Sequence, residues 1–216
     1  MIDDLFGKYL QEVRKADYLF KTIQERYPDS VHCRIRCCDC CQAVFGVFPV
    51  EAAYIHRQVS RLDRKIRRDI LRRAEKAESE IVKAKDTLKV FEDKPQMKVY
   101  GLGKQRVRCP FLSDREECVL YENRPVICRI YGVPFSLKED GKKEKAYACG
   151  LSGFQEKVAY PTVKLYKIYQ ELFNLSKELL TEAGYIQPGK KANLMLPLSR
   201  VLRMSFEAIV KGDFEE

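Results

Sequence analysis

The sequence predicts a mainly α-helical protein with irregular cysteine-rich metal-binding loops and one small β-hairpin. Long segments of the 216-residue chain carry apolar residues at helical spacing, whereas most cysteines lie in segments without that periodicity. No internal repeat and no low-complexity linker divides the chain. We therefore expect residues 1–216 to form a single domain, with a cysteine-cluster region at about 33–150 framed by N- and C-terminal helices.

The N-terminal segment predicts an amphipathic helix from about Asp3 to Arg26. Its apolar residues recur every three or four positions, as they do in a helix with one face against a core. Pro28, Asp29 and Ser30 are expected to end it. The apolar stripe consists of Leu5, Tyr9, Leu10, Val13, Ala16, Leu19, Phe20 and Ile23.

Pro49 predicts the start of a second helix, because proline is favoured at the first helical position. Residues 43–48 are expected to form a short extended segment before it, and the helix to cover about 50–61. A long helix is predicted over 62–91, ending before Pro95. Its apolar stripe consists of Leu62, Ile66, Ile70, Ala74, Ala77, Ile81, Ala84 and Leu88.

The middle of the chain, residues 100–150, is less regular. Within it, Glu-Asp-Gly-Lys at 139–142 predicts a turn between two extended arms. Helical spacing returns after Pro161, and Gly184 is expected to cap that helix at its C-terminus. Residues 196–210 predict one last, shorter helix.

Composition and the first residues of the chain bear on the cellular location of the protein. No run approaches the roughly 20 apolar residues of a membrane helix, and the apolar stretch 43–50 ends in Glu51. The first four residues, Met-Ile-Asp-Asp, carry acid where a secretory signal carries base. We therefore expect a soluble, cytoplasmic protein with no membrane contact. The net charge of +9 is weak evidence for an anionic partner, because such charge also favours solubility.

Nine cysteines carry the strongest functional signal. Thiols in a reducing cytosol rarely pair in structural disulfides and more often ligate metals or carry out redox chemistry. Residues 33–41 hold five of them among arginines and an aspartate, which an apolar core segment would not tolerate. The spacing Cys37-x-x-Cys40 lets two thiolates on one turn converge on an ion. Further donors must come from far along the chain, so metal binding should be coupled to folding.

The predicted metal ligands come from three separate segments of the chain. Cys38 is the doubtful member, because five clustered cysteines need not all be ligands. Among the other polar residues near the cluster, His32 could orient or replace a thiolate, and Arg124 and Arg129 could offset thiolate charge. A turn at Arg124 and a surface ion pair at Arg129 explain the arginines equally well. The predicted ligands are Cys33, Cys37, Cys40, Cys41, Cys109, Cys118, Cys128 and Cys149.

The order of these motifs is itself distinctive. Cys37-x-x-Cys40-Cys41 is followed by Cys-Pro-Phe-Leu from Cys109, and then by Cys-Val-Leu-Tyr-Glu-Asn-Arg-Pro-Val-Ile-Cys-Arg from Cys118. This pattern resembles the bacterial YkgJ-type cysteine-cluster family, which is described as zinc- or iron-chelating. In that family the first cluster reads Cys-x-x-Cys-x-x-Cys-Cys. Here the first cysteine, Cys33, stands one residue early, and Cys38 is additional.

All-thiolate donation suits zinc or an iron–sulfur cluster. The number of thiols favours the cluster, and so does Cys109-Pro110, which is similar to the cysteine–proline pair at some cluster ligands. Flagellin lysine methylases carry a similar cysteine signature. That resemblance implies S-adenosylmethionine as a second cofactor.

Three functional hypotheses follow. The first is a metal- or cluster-binding protein with a structural or redox role, since the sequence shows no recognisable catalytic motif outside the cysteines. The second is a cluster- and S-adenosylmethionine-dependent protein lysine methyltransferase, supported by resemblance alone. Whether the chain is an enzyme, and which protein partner or substrate it has, therefore stays open. The third, a nucleic-acid-binding zinc module, is disfavoured because acidic residues interleave with the basic ones at 57–80 at helical spacing.

Overall fold

The structure is mainly helical, as the sequence predicts. It is a computed structural model that describes residues 2–87, 105–137, 145–155 and 157–214. The helices are α1 (Ile2–Arg26), α2 (Pro49–Ser60), α3 (Arg64–Thr87), α4 (Val126–Ile130), α5 (Leu165–Glu182), α6 (Gly189–Ala192), α7 (Leu198–Arg203) and α8 (Phe206–Lys211). The strands are β1 (Gly46–Val47), β2 (Phe135–Leu137), β3 (Lys145–Tyr147), β4 (Val163–Lys164) and β5 (Leu196–Pro197).

Three helices form the frame of the molecule: α1 and α2 both pack on α5 and also contact each other. Acidic residues in the first turn of α1 and Arg26 in its last turn complement the helix dipole. Within the described residues, no helix combines the length and the apolar character that crossing a membrane requires. The buried residues of α1 confirm most of the predicted stripe and add Phe6 to Leu5, Tyr9, Val13, Ala16 and Ile23.

Gly184 ends the helix after Pro161, as predicted. Its φ of +90° lies in the left-handed region, where glycine has no Cβ to clash. The N–H of Tyr185 donates to the carbonyl of Leu180 at 2.9 Å, which satisfies one of the last carbonyls of α5.

The predicted single helix over 196–210 is wrong. The segment forms β5, α7 and α8 in turn, because Met204 is extended and Ser205 starts a new helix by accepting the N–H of Ala208 at 3.0 Å. β5 pairs antiparallel with β1. That pairing needs glycine, since a Cβ at Gly46 would lie 2.7 Å from the carbonyl carbon of Met195.

Helix α3 confirms the predicted long helix as far as Thr87, and the predicted end at Phe91 lies outside the described residues. It packs on α7, where the hydroxyl of Ser199 donates to Glu78 at 2.5 Å. Its Arg73 also donates from Nε to the carbonyl of Pro110 at 2.8 Å. The long helix thus contacts the segment that follows Cys109.

The two extended arms of the predicted hairpin are present as β2 and β3, which pair antiparallel with Phe135 opposite Tyr147. The predicted turn at 139–142 lies outside the described residues. β4 adds to the other edge of β2 in the parallel direction.

A buried carboxyl joins the helical frame to the cysteine-rich region. Glu51 in α2 is 2% exposed and accepts two backbone N–H groups, from Phe48 at 3.2 Å and from Val126 at 3.0 Å. These N–H groups belong to the starts of α2 and α4, where no intrahelical acceptor exists. The Tyr9 hydroxyl lies beside the same carboxyl without completing a hydrogen bond of normal geometry. Because α4 carries Cys128, Glu51 helps to fix one predicted ligand.

The Glu51 carboxyl predicts a pH dependence of stability with a definite sign. Burial raises its pKa from 4.5 to about 7, against the opposing effect of the two N–H donors. The stabilisation is therefore complete below pH 4.5 and is lost as the pH rises through about 7. Relative to Glu51→Gln, the unfolding free energy of the wild type should fall by on the order of 3 kcal/mol across this window.

Denaturant unfolding of both proteins at a series of pH values measures this difference. Because the other titrating groups are common to the two proteins, their contributions cancel. A difference that stays constant with pH, or that grows as the pH rises, would contradict the assignment.

Candidate metal centre

The structure brings thiols from all three cysteine segments to one place, where they surround two adjoining cavities. Each cavity is named here after one thiol that lines it and not the other. The Cys109 cavity is lined by Cys37, Cys40, Cys41, Cys109, Cys118 and Cys128. The Cys149 cavity is lined by Cys33, Cys37, Cys40, Cys128 and Cys149. All eight predicted ligands therefore lie at these two cavities.

Short-range backbone contacts shape the first cysteine segment. The N–H of Cys37 donates to the carbonyl of Arg34 at 2.9 Å, in a turn where Arg36 adopts a positive φ of 70°. The N–H of Cys41 donates to the carbonyl of Cys38 at 3.0 Å. In this turned segment Cys37, Cys40 and Cys41 line the Cys109 cavity, whereas Cys38 does not.

The second segment runs alongside the first. Ala43 and Arg106 form an antiparallel bridge, and the N–H of Cys109 donates to the carbonyl of Cys41 at 2.7 Å. Two cysteines 68 positions apart in the sequence thus lie side by side because their backbones are hydrogen-bonded.

Backbone amides point at three of the sulfurs in a recurring arrangement. Cys109 accepts from the N–H groups two and three residues ahead, Cys118 accepts from Leu120, and Cys149 accepts from Leu151 at 3.4 Å. Such bonds favour the thiolate over the thiol, and hydrogen bonds to sulfur also tune thiolate-bound metals. The local turns therefore prepare these cysteines to act as ligands.

Four of the thiols form a chain of pairwise contacts, from Cys128 to Cys40, Cys41 and Cys109. The hydrogen bond from Cys128 lowers the pKa of Cys40, and the hydrogen bond from Cys41 lowers that of Cys109. The donors respond in the opposite direction: the pKa values of Cys41 and Cys128 are raised, since losing a proton would break these bonds.

Burial is the dominant effect at Cys33, Cys118 and Cys149. It raises the pKa of Cys33 to about 12 and the pKa values of Cys118 and Cys149 to about 11. A bound cation reverses this preference, because coordination deprotonates a thiol outright. Metal binding at these sites would therefore release protons.

The donor set fits a zinc ion or an iron–sulfur cluster, since both take thiolate ligands in a largely buried site. Within the described ranges, no group of three His, Cys, Asp or Glu side chains is close enough to hold an ion as it stands. The sulfur contacts are pairwise, so ligation requires small side-chain movements that the structure does not show.

Arg124 supplies positive charge to the site. It lines both cavities, and its guanidinium carbon lies 4.2 Å from the centre of the Tyr121 ring. Its Nε is buried and has no hydrogen-bond partner in the part of the chain that the structure describes. At Cys118 its charge opposes the burial that raises the pKa of the thiol. This placement agrees with the interpretation that Arg124 offsets thiolate charge.

Arg129 has a different role. Its side chain is 8% exposed, and its Nη1 binds Asp17 of α1 at 2.6 Å. It also donates to the carbonyls of Arg124 at 2.9 Å and Glu122 at 2.5 Å. The ion-pair interpretation is therefore confirmed, with the difference that the Arg129 side chain is buried. Arg129 holds the segment before Cys128 against the N-terminal helix.

Sequence reasoning missed Asp39 as a functional residue. Its Oδ2 accepts a hydrogen bond from the Cys149 thiol at 3.3 Å, and its Oδ1 pairs with Arg106 at 2.6 Å. Although burial opposes ionisation, bonds from Arg106, Cys149 and Tyr131 lower the pKa of Asp39. The one sequence feature that could have identified Asp39 is its position between Cys38 and Cys40.

Gly132 was also missed, and no sequence signal identifies it. A Cβ at this position would lie 2.0 Å from the sulfur of Cys33, so only glycine leaves room for that thiol. The contact joins residues 99 positions apart in the sequence, which no local pattern reports.

The histidines and Cys38 lie apart from the two cavities. Both ring nitrogens of His32 contact backbone carbonyls, at 2.5 Å from Leu151 and 3.1 Å from Asp29, so His32 fixes a loop. His56 packs against the ring of Phe206. Cys38 borders an open surface depression beside the loop and neither of the two cavities.

Comparison with known proteins identifies the region that carries the site. Residues 32–150 match the family model described as "CxxCxxCC: Putative zinc- or iron-chelating domain". The match covers more than half of the chain and includes all nine cysteines. No curated protein and no solved structure matches the chain.

Gly132→Ala should destabilise the protein by about 1–3 kcal/mol, because the new methyl group must displace the Cys33 sulfur or the backbone around it. Gly150→Ala is the matched control, since it also adjoins a predicted ligand and its Cβ would have no neighbour within 4 Å. Denaturant unfolding measures both changes. Equal effects of the two substitutions would show that the Cys33 contact does not constrain the fold.

Arg129→Gln should cost about 2–4 kcal/mol of unfolding free energy, because it removes a buried cation and leaves two carbonyls without a donor. Arg36→Gln provides the comparison. Its pair with Glu117 is exposed, so its loss should cost less than about 1 kcal/mol. Thermal and denaturant unfolding measure the loss of stability in each variant. A smaller loss for Arg129→Gln than for Arg36→Gln would show that Arg129 does not hold the segment before Cys128 in place.

Proposed function

The chain belongs to the CxxCxxCC family of zinc- or iron-chelating domains, and from this premise we propose that its thiols hold an iron–sulfur centre with a structural role. The observation that carries the proposal is the convergence of thiols from three distant segments on shared cavities. Iron and sulfide bound there would also provide a redox-active group.

A structural role is supported by how little regular secondary structure the cysteine-rich loops contain. Between residues 105 and 125 that structure consists of isolated bridges and one short 3-10 turn, Tyr121–Asn123. A metal bound by several of these cysteines would close loops of about 70 residues and more. Metal binding would then add directly to the free energy of folding.

Iron and sulfide are favoured over zinc by the donor set. The count of eight thiols does not separate the two, because a structural zinc ion and a [4Fe–4S] cluster each take four, but Cys109-Pro110 is similar to the cysteine–proline pair at some cluster ligands. The amides directed at Cys109, Cys118 and Cys149 are of the kind that sets cluster potentials. Use of S-adenosylmethionine stays a prediction from the resemblance to flagellin lysine methylases, since no contact among the described residues bears on it.

The chain, purified without oxygen and without a metal-affinity tag, should be brown and contain iron and acid-labile sulfide. Removing the metal with a chelator should lower the unfolding temperature, because the loops lose their cross-link. Elemental analysis, sulfide assay, an absorption spectrum and thermal unfolding measure these properties.

Two variants sharpen this test. Cys109→Ser should lower the iron content, whereas Cys38→Ser, outside both cavities, should match the wild type. Colourless protein with stoichiometric zinc would contradict the iron–sulfur assignment and keep the structural role. Protein that binds neither metal would overturn the proposed function.

A further inference from the structure

The eight clustered thiols divide into three groups according to the cavity that each one faces. Three thiols line only the Cys109 cavity, two line only the Cys149 cavity, and three stand in the wall between them. The first group is Cys41, Cys109 and Cys118, the second is Cys33 and Cys149, and the wall group is Cys37, Cys40 and Cys128.

The number of ligands that a thiolate-bound metal centre takes explains this division of the thiols. A structural zinc ion takes four ligands, and a [4Fe–4S] cluster takes four cysteines. Eight thiols are therefore twice what one centre needs. The Cys109 cavity has three thiols of its own and reaches four donors with one wall thiol. The Cys149 cavity has two thiols of its own and reaches four donors with the other two wall thiols.

We infer that the chain holds two thiolate-ligated metal centres side by side, one in each cavity, with the wall thiols divided between them. The inference rests on the proposed function, since it specifies how many centres the same cysteines hold. The ninth cysteine, Cys38, lies outside both centres.

The surroundings of the two cavities differ, which supports two distinct centres. Beside its thiols, the Cys109 cavity is lined by the apolar residues Phe111, Leu112 and Leu198 and by the charged residues Arg36 and Glu116, none of which lines the Cys149 cavity. The Cys149 cavity is lined instead by Asp39 and Tyr131, neither of which lines the Cys109 cavity. The Asp39 carboxylate lies 3.3 Å from the Cys149 sulfur and lines only the Cys149 cavity, whereas the carboxylate residue that lines the Cys109 cavity is Glu116.

Two arginines, Arg34 and Arg124, line both cavities, where positive charge between two anionic centres is expected. The Nε of Arg124 is buried and has no hydrogen-bond partner among the described residues. Two thiolate centres so close together would repel each other, and a shared guanidinium reduces that repulsion.

Metal counting on the full-length chain tests the inference. Iron and sulfide are measured on protein purified without oxygen, and the metal-free protein is then loaded with Zn²⁺ and its bound ions are counted by native mass spectrometry. The wild type and Cys38→Ser should each bind two zinc ions per chain. Cys109→Ser and Cys149→Ser should each retain one, and Cys109→Ser combined with Cys149→Ser should retain none.

Circular dichroism verifies that each variant keeps its helices. Cys118→Ser should also lose the ion of the Cys109 cavity, and Cys33→Ser should also lose the ion of the Cys149 cavity. A wild type with one ion, or single variants that each lose every ion while still helical, would overturn the two-centre inference and leave the proposed function standing. A Cys149→Ser protein that keeps both ions would also overturn it. A wild type that binds no metal would overturn the proposed function itself.

Discussion

Thiols can share a small buried volume as ligands only if the charge they acquire on losing protons is balanced. Burial alone opposes that charge, as the raised pKa values of Cys33, Cys118 and Cys149 show. Backbone amides that donate hydrogen bonds to sulfur, and the guanidinium of Arg124, partly offset the thiolate charge. A metal cation would supply the larger share, and the loops around the cysteines are arranged so that it can.

The helical frame serves this arrangement through α4, the short helix that carries Cys128. Its start is held by the buried Glu51 of α2, and its Arg129 is bound to Asp17 of α1. Both contacts are made by buried ionisable side chains, Glu51 and Arg129, and a buried polar group without a partner is costly. The position of one predicted ligand therefore depends on two helices that contribute no thiol.

Much of this organisation could be predicted from the sequence, because helices with one buried face carry a periodic signal. The periodicity predicted α1 and α5 closely and α3 as far as the structure describes it, and cysteine spacing predicted which residues gather. The segment 196–210 misled because its apolar spacing continues across the helix start at Ser205. Gly132 and Asp39 act through contacts with residues about 100 positions away, which local patterns do not encode.

The pair between Arg129 and Asp17 has a consequence for how the chain is made. The two residues are separated by 112 positions, so α1 leaves the ribosome well before the helix that it will hold. At ordinary rates of translation, Arg129 is synthesised on the order of 10 s after Asp17. The helix α5 is synthesised later still. During that interval the apolar stripe of α1 lacks the packing of α4 and α5. All nine cysteines are therefore synthesised before α5, the helix on which α1 and α2 pack.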